Sequence, residues 1–225
     1  MKGALAVLFA TTNPHKVREL RGIFEPLGIF VHSLDSLSAV PPEPEEDADT
    51  FMGNAKLKAV AYARATGLTC LAEDSGLEVD ALGGAPGVHS ARYAGVSGSR
   101  EARDRANNDK LLRAFAELPS ADRTARFVCA MCVASPEGRV LVETTGTYEG
   151  VIASSPKGEN GFGYDPLLYL PDVGRTSAEL SDKEKSERSH RGKAARLLAK
   201  ELLSRGAALS ALLASVPPAA KVPAS

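Results

Sequence analysis

"LTCLAEDSGLEVDAL", residues 68–82, decides the fold. An apolar run ends at Ala72, and two adjacent acids, Glu73 and Asp74, follow before Ser75 and Gly76. Neighbouring carboxylates repel one another, so a chain that places them at the mouth of a buried strand is expected to hold a cation there. The run itself reads as a buried strand ending at these acids. In an α/β sheet, sites gather beyond the carboxyl ends of strands.

Upstream, an apolar strand over 4–10 leads into "TTNPHK" and a helix from Pro14 to about Pro26, with Val17, Leu20, Ile23 and Phe24 on one face and Gly28 beyond its end. The acidic, proline-rich "PPEPEEDAD" then hands over to a second helix near Thr50 to Ala65, closed by Gly67. Downstream, "GGAPGVHSARYAG" is too glycine-rich for a regular element and reads as an ordered loop, followed by a helix from about Arg100 to Leu118. Strands over Thr124 to Ala134 and Arg139 to about Ile152 flank the turn "SPEGR", which makes that pair antiparallel. A short strand "LLYL" precedes a last helical region, roughly Asp182 to Leu203. These elements predict one α/β domain over 1–205, with helices flanking a mixed β-sheet. Residues 206–225, rich in alanine and proline, read as a frayed C-terminal extension.

With 225 residues and a net charge of -1, the chain has no global electrostatic drive toward nucleic acid. No apolar run approaches the ~20 residues of a membrane helix. "MKGALAVLFA" reads as a first buried strand rather than a signal peptide, because it runs directly into a helix start. Three cysteines without framework spacing suit a reducing compartment, so a cytoplasmic protein is expected. Cys129 and Cys132 form a C-x-x-C inside an apparent strand, where they point to opposite faces and could not grip zinc together.

Four segments carry candidate chemistry. In "TTNPHK", Thr11, Thr12 and Asn13 precede Pro14 and His15, so a helix N-terminus there offers free amides to an anion; Lys16 in its first turn opposes the helix dipole and gains from a bound phosphate. A plain asparagine cap with a solvated lysine explains the segment equally well. The acids Glu43, Glu45, Glu46, Asp47 and Asp49 form either a solvated loop or, with Glu73 and Asp74, a hard-cation site suited to Mg²⁺ or Mn²⁺. "NGFGYDP" places Phe162 between glycines, as a stacking face for a base or as a core residue in a turn. In "SDKEKSERSHRGKA", Ser181 with Glu184 matches a capping box and Ser189 can cap a second helix. Lys185, His190 and Arg191 then form a solvated basic face or a donor set for carbonyl oxygens on a base edge.

Taken in order and spacing, "ATTNPHKVREL", "EDSGLEVDALGGAPGVHSARYAG", "GFGYDP" and "EKSERSHRGKA" resemble the Ham1/RdgB family of inosine triphosphate pyrophosphatases, from about Ala4 to Leu203. The resemblance implies an elongated, two-lobed α/β fold with a central cleft, working as a homodimer. It implies Mg²⁺-dependent hydrolysis of ITP, dITP and XTP to the monophosphate and pyrophosphate. Thr11, Thr12, Asn13, Pro14, His15 and Lys16 would hold the triphosphate, Asp74 would serve the metal and the attacking water, and Glu45 or Glu46 would be the second metal ligand. Ser75 would contact substrate, and Phe162, Gly163, Tyr164 and Asp165 would enclose the base with Lys185, His190 and Arg191. The chain departs from the family pattern at Thr12, where glycine is usual; a positive φ there would strain a β-branched residue. Two rivals remain, a Maf-like pyrophosphatase of other modified nucleotides and a nucleotide sensor without catalysis.

Overall fold

The computed structural model describes residues 5–118, 120 and 122–205. The tail expected over 206–225 lies outside them. Among the described residues, seven strands and five helices follow in the order β1 (Leu5–Phe9), α1 (Pro14–Phe24), β2 (Ile29–Ser33), α2 (Phe51–Thr66), β3 (Cys70–Val79), α3 (Arg100–Ala116), β4 (Thr124–Ala134), β5 (Val140–Ile152), β6 (Leu168–Leu170), β7 (Arg175–Thr176), α4 (Asp182–Arg188) and α5 (His190–Ser204). The strands form one sheet in the order β2-β1-β3-β4-β5-β6-β7. Pairing is parallel from β2 through β1 to β3 and antiparallel from β5 through β6 to β7, so the sheet is mixed, as the sequence predicts.

The chain divides into two compact units. The first takes the described residues of Met1–Asp74, Ala130–Thr145 and Ala194–Ser225. Its core joins β1 (Val7, Leu8, Phe9) to Leu20 and Phe24 of α1, Ile29 of β2 and the small residues Ala55, Ala59 and Ala63 of α2, all fully buried. Helix α1 starts on Asn13, whose side chain accepts from the His15 amide at 3.0 Å, and Pro14 occupies the first turn. Such a cap stabilises a helix by about 1 kcal/mol. Helix α2 starts on Thr50 and ends on Gly67.

The second unit takes Ser75–Cys129 and Gly146–Lys193. Leu77, Val79, Leu111, Phe115, Phe127, Tyr148, Ile152, Tyr164, Leu167 and Leu168 build its core. The predicted capping box of Ser181 and Glu184 is present, and Ser189 breaks the last helical region by accepting from the Gly192 amide at 3.0 Å.

Three expectations need correction. The acids do not end their strand, because β3 continues from Cys70 through Glu73, Asp74, Ser75 and Gly76 to Val79. The Ser75-Gly76 pair mimics a turn, but Gly76 is a packing glycine: a Cβ there would overlap Ser90, whose Oγ accepts from the Leu77 amide at 2.8 Å. Ser90 belongs to a 3₁₀ turn, Gly87–Arg92, within the stretch read as loop. Strand β2, absent from the sequence reading, pairs in parallel with β1 from Leu5↔Ile29 to Phe9↔Ser33. It is an edge strand whose Phe30 is exposed, so its short apolar run carries little pattern.

All three cysteines are buried, and none is in a disulfide. Burial pushes the thiols of Cys70 and Cys132 up to about 11 and about 12. A thiol reagent at pH 8 is therefore expected to label none of them in the native protein and all three after denaturation, as mass spectrometry would count.

Candidate active site

In the first unit, β3 displays Glu73 and Asp74 to opposite sides, as strand alternation requires. Glu73 is buried and forms an ion pair with Lys16 of α1 at 3.0 Å. The Lys16 charge that the sequence reading assigned to a phosphate thus already has a carboxylate partner. Asp74 faces α2, where Asn54 Nδ2 donates to its Oδ2 at 3.1 Å and Lys58 Nζ lies 3.7 Å from its Oδ1. Lys58 also reaches Glu46 at 3.1 Å, and Asn54 Oδ1 accepts from the Ala48 amide at 3.0 Å. The acidic loop is therefore pinned beside Asp74 by two residues of α2. Of the candidates left open by sequence, Glu46 is turned toward Asp74, whereas Glu43 and Glu45 are exposed.

Burial raises the Asp74 carboxyl above the ordinary range; Lys58 and the Asn54 hydrogen bond oppose the shift, and Glu46 adds to it. A carboxylate so placed is a stronger base than a solvated one.

Among the described residues no group of three His, Cys, Asp or Glu side chains is arranged as a metal site. The donor set nonetheless fits a hard divalent ion. Lys58 places an ammonium between two carboxylates, and Mg²⁺ is commonly held by one or two carboxylates, with phosphate oxygens and water completing its shell.

Thr11 Oγ1 accepts from the Asn13 amide at 3.2 Å and orders the turn into α1. Thr12 and Pro14 line a pocket of about 310 Å³ with Val17, Arg18, Arg21, Ser33 and Asp35. No described residue other than glycine has a positive φ, so Thr12 occupies the usual glycine position without left-handed strain.

In the second unit, Phe162, Asp165, Lys185 and Arg191 come together. Arg191, 1 % exposed, donates from Nη2 to Ser75 Oγ at 3.2 Å. His190 stacks on Phe127 with ring centroids 4.9 Å apart. Asp165 is buried and engaged on both oxygens: Oδ1 accepts from Ser177 Oγ at 2.7 Å, and Oδ2 accepts from the Phe162 amide at 2.8 Å and pairs with Lys185. Tyr164 points into the core, its hydroxyl donating to the Ser90 carbonyl at 2.9 Å. Tyr164 and Asp165 thus support the loop from beneath. Gly161, one of the glycines flanking Phe162, is needed by the protein itself, since a Cβ there would overlap the Asp165–Lys185 pair.

The sequence reading missed Asn54 and Lys58 on α2, Asp104 and Asn108 on α3, and Ser177. Asn54 and Lys58 could have been found, because two polar residues four apart interrupt the otherwise apolar face of α2 and are both buried.

A family model, that of the Ham1 family, matches residues 7–201. This chain belongs to the Ham1 family. Among curated Ham1 relatives, a dITP/XTP pyrophosphatase of an Exiguobacterium strain is 50% identical over 199 residues, covering 88% of this chain and 97% of the relative. A dITP/XTP pyrophosphatase of Thermus thermophilus is 48% identical over 198 residues, covering 88% and 92%. A solved HAM1 protein of Coxiella burnetii superposes with a TM-score of 0.80 at 39% identity, covering 89% of this chain and 99% of that one. The Staphylococcus aureus Ham1 protein gives 0.78 at 40% identity over the same shares. The Ham1 match spans both clusters, from the turn before α1 to the His190-Arg191 start of α5.

Proposed function

We propose that this chain hydrolyses noncanonical purine nucleoside triphosphates, ITP, dITP and XTP, to the nucleoside monophosphate and pyrophosphate. One observation carries the reading: Asp74 is a partly buried carboxylate with a raised proton affinity, held by Asn54 and Lys58 beside Glu46. The names borne by relatives near 50% identity supply the substrate class.

In this reading Asp74 takes the proton of a water that attacks the α-phosphorus. The bond from that phosphorus to the bridging oxygen breaks, and pyrophosphate leaves with the electron pair. The amides at the start of α1, with Lys16 shared between Glu73 and the phosphate, balance its charge. Asp74 and Glu46 would hold a divalent cation, Mg²⁺ with Mn²⁺ as a substitute, which would neutralise phosphate oxygens and acidify the bound water. The base stacks on Phe162, and Arg191, His190 and Lys185 offer donors to a 6-oxo group. Adenine would present an amino group to those donors, a mismatch of a few kcal/mol (about 1–3) in a buried site. The catalytic domain spans 1–205 and works as a cytoplasmic homodimer; the family match over 7–201 supports the extent and the buried thiols suit a reducing compartment. Among the described residues no helix is long and apolar enough to cross a membrane.

The test is purified protein incubated with ITP, XTP, GTP or ATP and Mg²⁺, with products separated by ion exchange. Monophosphate and pyrophosphate are expected in equal amounts from ITP and XTP. Chelation with EDTA is expected to stop turnover, and excess Mg²⁺ to restore it. Orthophosphate as the first product, or no turnover of any nucleotide, defeats the reading. At the metal, Glu46→Gln is expected to raise the Mg²⁺ concentration for half-maximal rate by about tenfold or more, and Glu45→Gln by less than about twofold.

A further inference from the structure

Three cations surround the ring of Phe162: Arg100 at 4.6 Å from the centroid, Lys185 at 5.1 Å and Arg191 at 5.6 Å. A ring has two faces, so at least two of these charges share one. Lys185 is neutralised by Asp165, and Arg191 is buried with Ser75 as a partner. Arg100 differs from both. Among the described residues it forms no ion pair and no hydrogen bond; its neighbour Glu101, which its charge helps to hold ionised, is engaged first with its own backbone and Ser99. It also occupies the first position of α3, where the positive end of the helix dipole disfavours a cation. Its place over the ring offsets that cost.

That place is held firmly. Arg100, Asp104 and Asn108 are spaced four apart on α3 and so share one face. Asp104 Oδ2 accepts from the Gly163 amide at 2.9 Å, and Asn108 Nδ2 donates to the Gly163 carbonyl at 3.0 Å. Both ends of the residue after Phe162 are thereby tied to the helix that carries Arg100. The result is a stacking face under a surplus of positive charge, with a planar guanidinium able to lie over an aromatic partner.

A surplus of this sign discriminates between oxopurines. Xanthine has a second ring carbonyl, which makes it the stronger acid and gives it a share of anion near neutral pH; hypoxanthine remains neutral there. We propose that Arg100 is a base-contacting specificity residue that favours xanthine over hypoxanthine nucleotides, an inference that rests on the pyrophosphatase reading above.

The test is the XTP:ITP ratio of kcat/KM in wild type, Arg100→Ala and Arg100→Lys, with the melting temperature of each. Arg100→Ala is expected to lower the ratio roughly two- to thirtyfold, mainly through KM for XTP, without lowering the melting temperature. Arg100→Lys, which keeps the charge, is expected to recover most of the ratio. A ratio unchanged within about twofold in Arg100→Ala overturns the inference, as does an equal loss on both substrates with a reduced melting temperature. If the wild type cleaves neither nucleotide, the pyrophosphatase reading fails separately. Calorimetric affinities for the xanthosine and inosine monophosphates then decide: a xanthosine preference lost in Arg100→Ala supports the role, and equal affinities in the wild type overturn it.

Discussion

Asp74→Asn is expected to lower kcat on ITP by about 10²- to 10⁴-fold at saturating Mg²⁺, the range that a positioned general base contributes. The substitution keeps the shape of the side chain and an oxygen that can accept from Asn54, while Lys58 retains Glu46 at 3.1 Å. The fold has little reason to respond. Burial raises the Asp74 carboxyl, so the folded state binds its proton more tightly than the unfolded chain does. The contribution of this group to stability therefore grows as pH falls through its folded-state pKa, and removing the charge at neutral pH is expected to leave the melting temperature unchanged or slightly higher. A variant with near-wild-type kcat would remove Asp74 from the chemistry.

Asp165→Asn is expected to produce the largest loss of stability, about 3–5 kcal/mol, the cost of leaving a buried partner charge uncompensated. Asp165 and Lys185 have side chains 3% and 9% exposed, and the same carboxylate accepts from Ser177 and from the Phe162 amide. For a chain of this size the loss corresponds to a fall in melting temperature of very roughly 6–20 °C. Lys185→Met alone should also destabilise, but Asp165→Asn with Lys185→Met should cost less than the sum, since the second change removes the stranded ammonium. Additive losses would show that the pair is not coupled. Because the Phe162 amide hangs on this carboxylate, the KM for ITP should rise in any Asp165 variant that remains folded.

How far these features were legible depended on whether they are local. The caps at Asn13, Ser181 and Ser189 are spelled by residues within four positions of one another, and each is where the sequence places it. The long hairpin strands, whose apolar residues run unbroken for much of β4, were equally clear. Glu73 and Asp74 stood out as acids in an apolar context, but their separation onto Lys16 and Lys58 follows from the continuation of β3, which the Ser75-Gly76 pair disguised. Gly76 is explained by Ser90, far along the chain, and no local pattern reports such a contact. Arg100 and Asp104 look like members of a solvated, charge-rich helix; only the fold brings them to the loop around Phe162. Edge strand β2 was lost because its apolar run, residues 29–31, is short and its solvent-facing Phe30 hides the alternation of a half-buried strand.

The most direct test of the central claim, that a water prepared by Asp74 attacks the innermost phosphorus, is hydrolysis of ITP in H₂¹⁸O with mass analysis of both products. All solvent label is expected in inosine monophosphate, with pyrophosphate unlabelled. Label in pyrophosphate instead would mean that water attacks a different phosphorus, and the role given to Asp74 would not stand.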